Sequence, residues 1–148
     1  SKGHREKGKL PSRAAPNHLA IYRRYPEINA IVNASPVNGT AFSVTDCPCD
    51  SRTIPESYVF LRDVQKLPFG VQFHDGQQLS ERVSLKNPAA LLQNDGVIVI
   101  GTSILDAFDR LEVLESTAEA LINSRPLGNV APMSEDVIRE LKSAFSLE

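Results

Sequence analysis

The stretch AALLQNDGVIVIG, residues 89–101, limits the possible folds of this chain more than any other segment. Two apolar runs flank Asn94-Asp95-Gly96, and Asp-Gly between aliphatic and β-branched residues is the chemistry of a tight hairpin, with glycine expected to supply the positive φ such a turn needs. Neither run is broken by polar residues, so both strands are expected to be buried. A sheet buried in this way needs helices on both of its faces.

Beyond Gly101 the apolar period changes from strand to helix. Ile104, Ala107, Phe108, Leu111, Leu114, Ala118, Leu121 and Ile122 recur at helical spacing, which predicts an amphipathic helix of about twenty residues. Ser103 with Asp106 three residues on resembles a capping box, and Asp106 with Arg110 is a favourably oriented i,i+4 pair. A further helix is expected from about Glu135 to Phe145, with Ser134 before it and acidic residues in its first turn.

Upstream, APNHLAIYRRYP reads as a helix with Pro16 in its first turn, Leu19 and Tyr22 on one face, and Pro26 ending it. INAIVN reads as a strand on which Ile28, Ala30 and Val32 alternate. The small residues of 35–45 suggest another helix, followed by the loop DCPCDSRTIP. LPFGVQF reads as a strand and GQQLSERV as one or two helical turns. Strands and helices thus alternate while the hairpin makes part of the sheet antiparallel. The fold expected is α/β, a three-layer αβα sandwich with a mixed, largely antiparallel sheet.

The chain has 148 residues, enough for one domain that buries roughly two thirds of its unfolded surface without staples. No apolar run approaches the ~18 residues of a membrane span, and no secretory or transit signal is seen. A cytoplasmic location and no membrane partner are therefore expected. Cys47 and Cys49, in TDCPCD, form no disulfide framework; two reduced loop thiols are expected, since a four-ligand soft-metal site needs a second pair.

Net charge is −2, but up to Arg24 seven basic residues face Glu6 alone, so this part carries +6 and the remainder −8. Residues 1–12 lack apolar periodicity and read as a flexible basic arm ahead of a domain over 13–148. Without interleaved aromatics, and on an acidic body, that arm predicts no nucleic-acid partner.

The order of the pieces resembles the class II aldolase/adducin family. The resemblance is carried by LPSRAAPNHLAIYRRYPEINAIVNASPVNGTAFS, LPFGVQFHDGQQLSERV and NPAALLQNDGVIVIGTSILDAFDRLEVLESTAEAL. It runs from about Leu10 to the end and covers the later two thirds of a family domain. It implies a metal enzyme in which a His-x-His at a strand end and a third His in an Asn-His-Gly turn bind zinc or another divalent ion, which stabilises the enediolate of aldol cleavage. It also implies a homo-oligomer, commonly a tetramer.

Residue by residue, that ligand pair falls on Asn33 and Ser35 and the third ligand on Asp95. The acid/base glutamate falls on Ala14, or on Ala15 if the register slips by one. Ser12 matches a serine that often contacts phosphate, Arg13 stands next to it, and His18 matches a helix histidine with a structural role. An amide, an alcohol and one carboxylate hold zinc poorly against water, so no metal cofactor is expected.

Two functions follow as expectations. One is a non-catalytic aldolase-like protein used for assembly or regulation, with Ser12 and Arg13 able to grip a small anion. The other is a divergent sugar-phosphate aldolase or epimerase whose chemistry has moved to Arg13, His18, His74 or Asp95; it requires those groups to share one cleft. For His74 a surface-loop position is the simpler expectation, and for Asp95 an ordinary turn role.

Overall fold

The computed structural model describes residues 4–147. Among them, four strands, β1 (Ala30–Ala34), β2 (Gln65–Leu67), β3 (Ala89–Leu92) and β4 (Gly96–Gly101), make one sheet in the order β1-β4-β3-β2. β4 pairs antiparallel with both β1 and β3, while β2 runs parallel to β3. The helices are α1 (Ala15–Arg24), α2 (Val37–Ser43), α3 (Pro55–Leu61), α4 (Gln77–Arg82), α5 (Ile104–Ser124) and α6 (Glu135–Ala144).

The hairpin explains why helices must lie on both sides. Every residue of β3 and β4 is buried, and successive side chains of a strand point to opposite faces. Ala90, Leu92, Ile98 and Ile100 join a cluster with Ile21 of α1 and Leu79 of α4. Ala89, Leu91, Val97 and Val99 join a second cluster with Phe42 of α2, Leu61 of α3 and Leu114 and Ala118 of α5. The result is the mixed, largely antiparallel sheet between helical layers expected from the sequence.

Glu115, on α5, fixes α2. Its carboxylate accepts hydrogen bonds from the Asn38 and Gly39 backbone N–H groups at 2.8 Å each, and from Asn38 Nδ2 at 2.9 Å. No side chain caps α2 from its own Pro36 N-cap, so an acid from a neighbouring helix satisfies those otherwise open donors. At the start of α5, Ser103 Oγ accepts from Asp106 N–H, and the Asp106 carboxylate takes Thr102 N–H and Arg110 Nε. The capping box and the ion pair read from the sequence are thus one network.

Several details differ from the sequence reading. LPFGVQF is not a strand throughout: β2 ends at Leu67, where Pro68 removes a ladder donor and Gly70 (φ 95°) turns the chain into a 3-10 turn at Val71–Phe73. The positive φ of the hairpin turn belongs to Asn94 (φ 57°), not to Gly96. Gly96 is needed for another reason, since a Cβ there would stand 2.4 Å from the Ala34 carbonyl oxygen.

The helix expected over 35–45 spans only Val37–Ser43, and α3 forms where the sequence reading assigned no element. α1 buries Asn17 and Ile21 rather than centring on Leu19 and Tyr22. Ile104 and Phe108, both on the apolar pattern of α5, are exposed. Of the expected arm, residues 1–3 lie outside the described residues, and residues 4–12 form no helix or strand.

α6 lies at the C-terminal end against α3 and buries Ile138. Arg52 ties it down by pairing with Glu135 at 2.6 Å and with Asp63 at 2.7 Å, while its carbonyl accepts from Met133 N–H. No helix among the described residues is long and apolar enough to cross a membrane.

Candidate functional site

The fold brings the end of β1 against the β3–β4 turn. β1 pairs along β4 as far as Ala34 opposite Val97, and the absence of a side chain at Gly96 lets the Ala34–Ser35 backbone close on the turn. Asn33, Ser35 and Asp95 consequently line one small cavity of about 210 Å³, together with Leu92 and Gly96. These are the positions singled out from the sequence, and they converge.

A second cavity of about 240 Å³ shares Asn33 and Asp95 and continues toward the start of α1, where Ser12, Arg13, Ala14 and Asn17 line it with Gln72 and Phe73. The turn before α1 sets this wall: Ser12 Oγ accepts from Ala14 N–H at 3.2 Å and the Ser12 carbonyl from Ala15 N–H at 3.0 Å. Ser12 keeps its own hydroxyl proton for donation. Arg13, also on this wall, is exposed.

The polar side chains of the cleft are already engaged with one another. His18 Nε2–H donates to Asn33 Oδ1 at 2.6 Å, so the helix histidine holds the strand-end amide rather than an ion. Gln72 Nε2 donates to Asp95 Oδ2 at 3.0 Å, and Asn17 Nδ2 donates to the Gln72 carbonyl at 2.6 Å. Asn17 and Gln72 are buried, 3% and 8% exposed, and Asn17 Oδ1 and Gln72 Oε1 have no hydrogen-bond partner.

No sequence signal marked these two amides. Asn17 lies off the α1 face expected from Leu19 and Tyr22, and Gln72 lies 55 residues away in a segment read as strand.

The donors do not fit zinc. Asn33 offers an amide whose oxygen is taken by His18, Ser35 an alcohol, and Asp95 a carboxylate with one oxygen taken by Gln72. Zinc sites draw on thiolate, imidazole or several carboxylates. Among the described residues, no three His, Cys, Asp or Glu side chains are grouped as metal ligands would be.

His74 lies apart from this cleft. It lines a separate pocket with Phe69, Glu81 and Arg82. On the opposite helical layer, a larger cavity of about 430 Å³ is lined by Phe42, Cys47, Asp50, Leu121 and Arg125. Arg125 Nη2 reaches Cys47 Sγ at 2.6 Å. Cys49 is buried, and burial together with the adjacent Asp50 pushes its thiol up to about 12.

Comparison with known proteins is consistent with this geometry. The chain is 36% identical over 118 residues to the 3-oxo-tetronate 4-phosphate decarboxylase of Haemophilus influenzae, covering 76% of this chain and 56% of that protein. It is 36% identical over 117 residues to the L-fuculose phosphate aldolase of Methanococcus vannielii, covering 76% of this chain and 61% of that one. The chain therefore spans a little over half the length of these relatives.

The crystal structure of YgbL from Escherichia coli superposes with a TM-score of 0.78 at 30% identity, covering 91% of this chain and 67% of the other. The sequence profile of the Class II Aldolase and Adducin N-terminal domain matches residues 2–122. With that profile covering most of the chain and the YgbL fold matched over 91% of it, the chain is a member of the class II aldolase and adducin family.

Proposed function

We propose that this chain is an aldolase-like protein that binds a small anionic ligand in the cleft between α1, β1 and the hairpin turn, without metal-dependent cleavage chemistry, in an assembly or regulatory role. The observation that carries the reading is the side-chain set at the convergence point. Asn33, Ser35 and Asp95 line one cavity, yet offer oxygen donors of which two are held by His18 and Gln72. Ala14 faces the same cleft where a proton-transferring carboxylate would be needed.

The relatives named above act on phosphorylated sugar derivatives, and Arg13 with Ser12 supplies a guanidinium fork and a hydroxyl for such an anion. Retention of the apolar layers while the polar site changes supports a homo-oligomer of the family type. The competing reading, a sugar-phosphate lyase with relocated chemistry, needs Arg13, His18, His74 and Asp95 in one place. His74 lines a different pocket, and His18 is occupied by Asn33.

Metal analysis of the purified chain tests the proposal: substoichiometric zinc is expected, and one zinc per chain refutes it. A companion variant carrying Asn33→His, Ser35→His and Asp95→His is expected to acquire zinc affinity, because the backbone already brings the three positions together.

A further inference from the structure

The cavity of about 430 Å³ on the α2 and α5 side of the sheet falls within the range of about 300–1,000 Å³ typical of small-molecule sites. Two of its lining residues, Phe42 of α2 and Leu121 of α5, are buried and belong to one apolar cluster, and the Cys47 side chain packs against that cluster. Arg125 Nη2 lies 2.6 Å from Cys47 Sγ. Contacts therefore run from the apolar cluster through the thiol to a guanidinium. Val130, 43% exposed, adds apolar surface to the same lining from the segment after α5.

The guanidinium has donors to spare. It carries five N–H groups in a fixed fork, and among the described residues its one hydrogen bond goes to that sulfur, a weak acceptor. Asp50, the other charged residue lining the cavity, is engaged elsewhere: its Oδ1 accepts from Arg52 N–H at 2.9 Å and caps the 3-10 turn at Ser51–Thr53. Arg125 is exposed, so a ligand reaches its fork without displacing another acid.

A carboxylate matches that fork, and charge-assisted bonds of this kind are about twice as strong as neutral ones. One guanidinium with a carboxylate in the same lining favours a monoanion over a dianion. The rest of such a ligand meets Phe42, Leu121 and Val130, against which hydroxyl groups would be left without partners, whereas a hydrocarbon tail gains from leaving water.

We propose that this cavity binds a small monocarboxylic acid, its carboxylate on Arg125 and its aliphatic tail against Phe42, Leu121 and Val130. It shares no lining residue with the cleft between α1, β1 and the hairpin turn, and the proposal does not rest on the reading of that cleft.

The test is a titration of the chain with acetate, butyrate and hexanoate, followed by assigned amide and methyl chemical shifts. Hexan-1-ol and hexylamine present the hexanoate tail on a neutral and a cationic head. Affinity is expected to rise about fourfold for each methylene buried, hence about fifteenfold from butyrate to hexanoate, with the largest shifts at Phe42, Leu121 and Val130. Hexanoate is expected to bind about tenfold more tightly than hexan-1-ol.

Arg125→Gln, at an exposed position, is expected to bring hexanoate down to the level of hexan-1-ol. Val130→Ser, also exposed, is expected to weaken both alike. No binding across the series, no gain with tail length, or hexan-1-ol or hexylamine binding as well as hexanoate overturns the proposal. Shifts confined to Ser12, Arg13 and Asn33 overturn it as well, since they place the acid in the cleft and leave the reading of that cleft standing.

Discussion

Substituting Gly96 by alanine tests the contact that assembles the site. The added Cβ would lie 2.4 Å from Ala34 O, 3.3 Å from Ala34 C and 3.1 Å from Ser35 Oγ. Two of these are backbone atoms of a strand that is paired with β4 up to Ala34 opposite Val97, so no side-chain rotation relieves the clash. Restoring an ordinary contact of 3.4 Å requires β1 and the turn to separate by about 1 Å at this point.

Overpacking of this kind costs about 1–3 kcal/mol. For a chain of this length, that corresponds to a fall of roughly 2–12 °C in melting temperature. Thermal unfolding followed by circular dichroism, with urea denaturation alongside, measures it. Gly39→Ala is the control, since its new Cβ meets Leu114 Cδ2 at 2.9 Å and two other side-chain atoms at 3.2 Å, and alanine favours the helix there by up to ~1 kcal/mol. A smaller loss than at Gly96 is expected. In the triple-histidine variant, Gly96→Ala is also expected to abolish the acquired zinc affinity. If Gly96→Ala melts with the wild type, close approach of β1 to the turn is not what organises the cleft.

Glu115→Gln replaces one accepting oxygen by an N–H₂ group facing the Asn38 and Gly39 donors; a loss of about 2 kcal/mol in urea-denaturation free energy is expected, and no loss would deny Glu115 its role at α2. Burial pushes the Asp106 carboxyl up, but the Thr102 N–H and the Arg110 guanidinium outweigh it and hold the group below the ordinary carboxylate range. Its contribution is therefore present above the unfolded-state pKa and is lost as pH falls through the depressed folded value. Asp106→Asn is expected to lower stability at neutral pH and to flatten the acid limb of a stability–pH curve; an unchanged limb refutes this. In the folded chain a thiol reagent is expected to label Cys47 alone, Cys49 reacting only after denaturation, with peptide mapping as the check.

The parts of the fold legible in the sequence are those with a clear period. The β3–β4 hairpin and α5 stand out because Leu91, Val97 and Val99 on one side and Ala107, Leu114 and Ala118 on the other repeat at the spacing of their element. α3 was harder because PESYVFL is seven residues of mixed aromatic and β-branched character; Pro55 in its first turn is the signal that identifies it. LPFGVQF has the apolar content of a strand, but Pro68 and Gly70 override it.

At the site, Asn33, Ser35, Asp95, Ser12 and Arg13 were found through motif position. Asn17 and Gln72 were not, because their roles depend on one tertiary hydrogen bond that no local pattern encodes.

The anchoring of α6 has a consequence for how this protein opens. Its docking depends on one buried isoleucine and on an ion pair whose Glu135 carboxylate is 75% exposed, and exposed pairs contribute at most about 1 kcal/mol. The amides of α6 are therefore expected to exchange with deuterium through local excursions that leave the sheet shut, whereas those of β4, paired with β1 and β3 on its two edges, are expected to wait for global unfolding. A nick in the segment before α6 would release a fragment and spare the cleft.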